Sequence, residues 1–510
     1  MGLADDYKAA WTWPRPPSKS ERQADAPRTN NPFKLVAALT WMQHLQFWCG
    51  WLAWTSDAYD FFCVSLSVNR LSETFFGEVS TANTHKITQS ITLTLLFRSV
   101  GALTLGVLSD AYGRKWPLII NLICITALQI GTSFCTTFDS FLAVRSLFGI
   151  FMGGIWGVAT ASALEAIPTE SRGLFSGILQ QGYAVGYLIA AVVNLYAVPQ
   201  TDKWETLFWV GAGITFAAAL FRVVVPESEV FLRARREEKA RGEVTSGAAK
   251  SKAFLVSAKD ALKQYWARCI FAVVLMSFFN FFSHGSQDLY PTYMQNAKGF
   301  TSHDATIATI IGNCGAIFGG FVTGYVSQFT GRRLTIILCC LWTGAFIPLW
   351  LLPKSFGGLA AGAFFVQTGV QGAWGVIPIY LSEISPPAFR AVFSGLSYQL
   401  GNAASSASSQ IEATAGEHWK TIARGRVVPD YAKIMGLLIG LVAFCIIVCM
   451  LVGPEFHGTH FEQGKTATEK GGGLEDTKAL QGIQREKVAD EENRMDDIKG
   501  ADLRQEVVKA

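Results

Sequence analysis

Charge is what this chain most lacks. Of its 510 residues 16% are charged, while 50% are hydrophobic and 13% aromatic; an ordinary soluble protein carries about a quarter charged residues. The shortage is uneven, because 1–34, 226–267 and 454–510 are polar and the deficit falls in the two blocks between them. A net charge of +4 is too small to argue for a nucleic-acid partner. The 10 cysteines show no CxxC pair and no Cys/His spacing of a metal site, and most sit in apolar stretches, where they read as small buried hydrophobes. No metal and no cofactor is expected. No apolar core follows Met1, so no cleaved signal peptide is expected. The closest approach to a nucleotide-binding loop, Gly458 to Gly464-Lys465-Thr466, is one residue too long and has no strand before it. No nucleophile–base constellation stands out either. ATP-driven transport and enzyme chemistry are both disfavoured.

What the chain does have is long hydrophobic runs. They cover 45–68, 87–111, 116–136, 139–163, 174–196, 205–225, 268–293, 303–328, 334–352, 357–381, 390–411 and 433–453, each about the length of a bilayer-crossing helix. In lipid a backbone must satisfy its own hydrogen bonds, and these runs are too long for barrel strands. The expected fold is an all-α membrane protein of about a dozen spans. Lys and Arg in the short loops set its orientation. Arg114-Lys115, Arg172 and Arg332-Arg333 fall on one side with Arg233, Arg235, Arg236, Lys239 and Arg241, which places both termini in the cytoplasm. The loop 412–432, with Lys420, Arg424 and Arg426, runs against this pattern.

The chain also repeats itself. GVLSDAYGRK begins at Gly106 and GYVSQFTGRR at Gly324, an offset of 218 that also pairs Trp156 with Trp374, Glu165 with Glu383, Arg172 with Arg390 and Gln181 with Gln399. Two homologous halves of about six spans follow, 35–225 and 268–455. They are joined by the charged linker 226–267 and flanked by tails 1–34 and 456–510 that read as disordered. Repeated halves with a site near the midplane are the architecture of a rocking secondary transporter. The GxxxDxxGRK loop with its echo resembles the signature of the major facilitator superfamily. Glu-x-x-Pro-x-x-x-Arg after spans four and ten resembles its sugar-porter-like branch. That resemblance implies that these loop residues brace helix ends and do not touch substrate. In the second half Gln328 replaces the acid found at Asp110, so a charge lock there is expected to be weaker or absent.

Ionisable residues inside spans are the candidates for chemistry, since a buried charge is costly unless partnered or used. They are Asp57, Asp60, Arg98, Arg145, His284 and Asp288. Arg98 offers a permanent charge and a planar fork suited to a carboxylate; the alternative is an internal salt bridge to Asp57 or Asp60, and the two readings can share a mechanism in which the pair opens when an anion arrives. Arg145 reads as a structural partner of an acid. Glu165 and Arg222, near span ends, read as structural or snorkelling. Asn280, His284, Gln287 and Asp288 share one helical face at i, i+4, i+7 and i+8. His284 and Asp288 could hold a proton between them, or merely fasten span seven to a neighbour.

The full stretch Asn280-x-x-Ser283-His284-x-Ser286-Gln287-Asp288-x-x-x-Thr292 resembles the motif of the fungal Jen-type monocarboxylate permeases, as do LLFR ending at Arg98 and QLGN from Gln399 to Asn402. The resemblance implies a plasma-membrane symporter that moves lactate, pyruvate and similar monocarboxylates with protons. It further implies that Asn280, His284, Gln287, Gln399 and Asn402 bind substrate, that Arg98 neutralises the carboxylate, and that His284 and Asp288 couple the proton. Asp57 and Asp60 are possible charge partners. The alternatives are a dicarboxylate or sugar porter of the same fold, or a nutrient receptor that does not transport. The tails leave room for ubiquitination or trafficking partners.

Overall fold

The computed structural model describes residues 31–78, 81–240, 247–406, 418–423 and 426–459, with positions 14, 16, 408, 411, 412, 415, 461, 465–467 and 469. Most of the two tails read as disordered lies outside the described residues.

A short helix α1 (Pro32–Ala37) leads into α2 (Trp41–Phe76). Thr40 and Gln43 form a reciprocal cap at the start of α2, and Gly77, at φ +78°, ends it. Next come α3 (Thr81–Tyr112), α4 (Lys115–Thr132), α5 (Phe138–Gly153) and α6 (Ile155–Glu165). The first half continues with α7 (Arg172–Gln180), α8 (Gly182–Thr201) and α9 (Glu205–Val224). Helices α5 and α6 form one interrupted span, as do α7 and α8. The stretch read as a linker is largely helical: it holds α10 (Glu229–Ala240), and α11 (Gly247–Gln287) runs unbroken from it into the seventh span. Its apolar side is buried, with Phe254 against Phe389 at 5.4 Å between ring centres.

In the second half Pro291 sits in the first turn of α12 (Tyr290–Tyr293), where a missing N–H costs nothing. There follow α13 (Ser302–Thr330), α14 (Arg332–Leu351), α15 (Phe356–Ile384), α16 (Arg390–Ser405) and α17 (Tyr431–Val452). A two-stranded ribbon, β1 (Lys420–Ala423) and β2 (Arg426–Pro429), lies in the loop before α17. Among the described residues nine segments are long and apolar enough to cross a membrane. Helices α2 and α15 and the 16-residue α16 complete the set of twelve expected spans.

The halves meet tightly on the side of the GRK and GRR loops. A Cβ on Gly157 of α6 would lie 2.8 Å from Gly395 Cα of α16, so the two helices touch backbone to backbone and glycine is required there. Asp110 accepts hydrogen bonds from the N–H groups of Ala391 and Val392 (3.3 and 2.9 Å), capping α16 from the opposite half. Its repeat partner Gln328 does the same without charge, accepting from Gly173 N–H at 3.2 Å and donating to Thr169 O at 3.1 Å. The second lock is therefore present but neutral. Arg114 bridges Asp110 and Glu165, while Arg332 makes a fork to Glu383 at 3.1 Å on each arm. Phe461, from the segment after α17, is wholly buried between the guanidinium groups of Arg172 and Arg390. Arg222 is also fully buried and bonds Pro226 O, so it is structural and does not snorkel. The loop side is sealed.

Candidate functional site

On the opposite side the halves part. A vestibule of about 790 Å³ is lined by Ser65, Leu66, Tyr187, Gln287, Asp288 and Gln367 among others. Beneath it lies a hollow of about 20 Å³, room for about one water. Phe61, Leu95, Tyr183 and His284 line both spaces. The floor is aromatic: Tyr398 packs on Trp156 and Trp374, with ring centres 4.7 and 5.7 Å away, and Trp54 meets Trp156 at 6.4 Å.

Arg98 comes from α3, His284 and Asn280 from α11, and Asn402 from α16, and all four line the small hollow. Arg98 donates to Asp57 Oδ2 at 2.7 Å, so of the two acids in α2 it is Asp57 that partners it. The pair is fully buried. Arg98 Nε and Trp374 Nε1, two donors, and Asp57 Oδ1, an acceptor, have no partner in the protein. Buried donors of that kind are costly unless something arrives to accept from them.

His284 Nδ1 lies 3.2 Å from Asp288 Oδ2, one turn along, and Asp288 is the more exposed of the two toward the vestibule. Asn280 Nδ2 donates to Met276 O at 2.8 Å and Tyr398 O at 3.5 Å. Asn402 Nδ2 donates to Gln399 Oε1 at 3.0 Å. Gln399 itself is wholly buried one step behind the hollow, and Gln287 faces the vestibule, where it donates to Gln367 Oε1 at 2.9 Å. Seven of the nine candidate residues thus line one hollow or bond a residue that does: Arg98, His284, Asn280 and Asn402 line it, and Asp57, Asp288 and Gln399 bond to them.

Asp60 does not join them. It points into the first half, accepting from Gln129 at 3.0 Å and Thr215 at 2.8 Å. Arg145 donates to Gln129 Oε1 at 3.0 Å, so it meets the acid through an amide and not directly. The sequence reading missed Gln180, Tyr183, Gln371 and Trp374, which also line the hollow. Gln371 carried one available signal, since Gln367 and Gln371 are spaced i, i+4 in an otherwise apolar span. Gln371 donates to Ser283 Oγ at 3.3 Å, and Gln367 to Ser286 Oγ at 3.0 Å.

A family model described as "Sugar (and other) transporter" matches residues 37–467. The chain is 36% identical over 441 residues to a carboxylic acid transporter protein homolog of Saccharomyces cerevisiae, covering 84% of this chain and 71% of that one. It is 26% identical over 367 residues to a probable 4-methylmuconolactone transporter of Cupriavidus pinatubonensis, covering 70% and 80%. In structure it is similar to the major facilitator superfamily proton:xylose symporter XylE bound to 6-bromo-6-deoxy-D-glucose. The TM-score is 0.64 at 18% identity, over 84% of this chain and 98% of that one. Twelve spans in two repeated halves, sealed on the signature-loop side and hollow on the other, are the fold of that major facilitator superfamily structure, and the chain is a multi-pass membrane transporter of the sugar (and other) transporter family.

Proposed function

We propose that this chain is a proton-coupled symporter of short monocarboxylates such as lactate and pyruvate. The observation that carries the reading is that Arg98, from one half, and His284, from the other, line the same hollow with unsatisfied donors beside them. One permanent cation among amides and aromatic walls suits one small carboxylate. The carboxylic acid transporter homolog among the relatives points to the same class of substrate.

The substrate enters through the vestibule and sets its carboxylate against Arg98, taking the guanidinium from Asp57. Asn402 offers its second amide hydrogen to the remaining oxygens, Asn280 offers one by giving up its 3.5 Å bond to Tyr398 O, and His284 lies across from it. With the substrate bound, His284 and Asp288 hold the coupling proton. An anion crossing alone against 100 mV meets about 2.3 kcal/mol, and one proton travelling with it removes that cost. No cofactor takes part; the proton is the coupling ion. The loop charges support an orientation with both termini in the cytoplasm, and a carrier that takes up external acids acts in the plasma membrane.

The test is uptake of labelled lactate by cells that lack their own carriers, at two external pH values and with pyruvate, succinate and glucose as competitors. Uptake that rises with an imposed inward proton gradient and yields to pyruvate is expected. Uptake indifferent to the gradient ends the symport reading, and competition by succinate or glucose alone moves the substrate to another class.

A further inference from the structure

Glu412, between α16 and α17, is wholly buried, and neither of its carboxylate oxygens has a hydrogen-bond partner. It rests on the backbone of α11: a Cβ added to Gly285 would lie 3.1 Å from Glu412 Oε1. Gly285 directly follows His284, and it shares a helical face with Asp288, three residues on, whose N–H still bonds His284 O at 2.9 Å. The other neighbours at that point are apolar, Leu438 and Ile439 of α17. The charged groups facing this cluster are His284 on α11, Asp288 directly after that helix and Arg98 on α3. Burial, and the Asp288 carboxylate beside it, push the Glu412 carboxyl up to about 9.

We infer that Glu412 is a proton-holding member of the coupling centre, paired with Asp288. The inference rests on the symport reading above. A wholly buried carboxyl that feels a second, partly exposed one does not ionise readily. Here His284 Nδ1, 3.2 Å from Asp288 Oδ2, gives Asp288 a partner that Glu412 lacks, so the preference is for the proton to stay on Glu412. A substrate that draws His284 toward itself removes that preference. A proton can then leave a Glu412 oxygen for an Asp288 oxygen, one O–H bond breaking and one forming, with no other bond changed. The packing favours a neutral Glu412 while the vestibule is open.

Glu412→Gln mimics the protonated form and cannot release it. In cells matched for surface level, lactate accumulation driven by an inward proton gradient should fall at least tenfold. Exchange of labelled for unlabelled lactate, which needs no net proton release, should keep at least a third of its rate, and Glu412→Asp should recover accumulation at least threefold over Glu412→Gln. Accumulation in Glu412→Gln within twofold of the unaltered chain overturns the inference, as does equal loss of accumulation and exchange in both variants, which marks a packing role. If the unaltered chain itself takes up lactate without regard to the gradient, the symport reading falls and this inference with it; a coupled unaltered chain matched by Glu412→Gln removes the inference alone.

Discussion

Asp57 and Arg98 form a buried ion pair at 2.7 Å whose guanidinium also faces the hollow shared by both halves. The acid therefore competes with any incoming anion for the same cation. Asp57→Asn removes the competing charge but keeps an acceptor. External lactate should then bind more tightly, with KM several-fold lower, and turn over more slowly, because release loses its displacing group. Arg98→Ala should abolish uptake at normal surface level. Arg98→Lys should recover no more than about a tenth of it, since an ammonium lacks the planar fork. Kinetics of labelled lactate uptake in the three variants decide the matter; an unchanged KM in Asp57→Asn contradicts the competition.

The contact between Gly157 and Gly395 leaves no room for a side chain. Gly157→Val should wedge the loop side open and deplete the form that is open at the vestibule. The variant is expected at the surface with external binding of lactate weakened tenfold or more. Normal external affinity would show that α6 and α16 separate without consequence for the open side.

The two interdomain caps differ in charge, Asp110 on α16 against Gln328 on α7. Hydrogen bonds to a charged acceptor contribute about 1.5–3 kcal/mol and neutral ones about 0.5–1.5 kcal/mol. Asp110→Ala should thus shift the equilibrium between outward and inward forms more than Gln328→Ala does, by roughly fivefold or more in apparent external KM. Equal effects would mean that the two locks are interchangeable.

Gln371 lines the hollow while Gln367 lies above it in the vestibule. Gln371→Ala should weaken lactate uptake several-fold and alter the lactate-to-pyruvate ratio. Gln367→Ala frees Gln287 and Ser286 and should change the rate more than that ratio. Competition assays with both acids in each variant check this ordering.

Much of this could be read before any coordinates, because it is local. The period of the apolar runs and the offset of 218 between Gly106 and Gly324 set the spans, the halves and the family. The shared face of Asn280 and His284 follows from helical spacing alone. Other readings needed distances between helices. Two acids three residues apart in α2 look alike in the chain, yet α2 turns Asp57 to Arg98 and Asp60 to Gln129 and Thr215. Gln399 and Asn402 share a motif, but only Asn402 reaches the hollow.

By itself, then, the sequence determined how many times the chain crosses the bilayer, that it is duplicated, and which few polar groups lie in its apolar interior. Those properties depend on hydrophobicity and on repeat period, which the order of residues contains in full. Tertiary structure alone decided which acid holds Arg98, which side is sealed, and that Gln371, Trp374 and Glu412 stand beside the residues of the motif. Those facts depend on how each helix is rotated and how closely it can approach its neighbour, and that is set by contacts such as Gly157 on Gly395 between residues far apart in the chain.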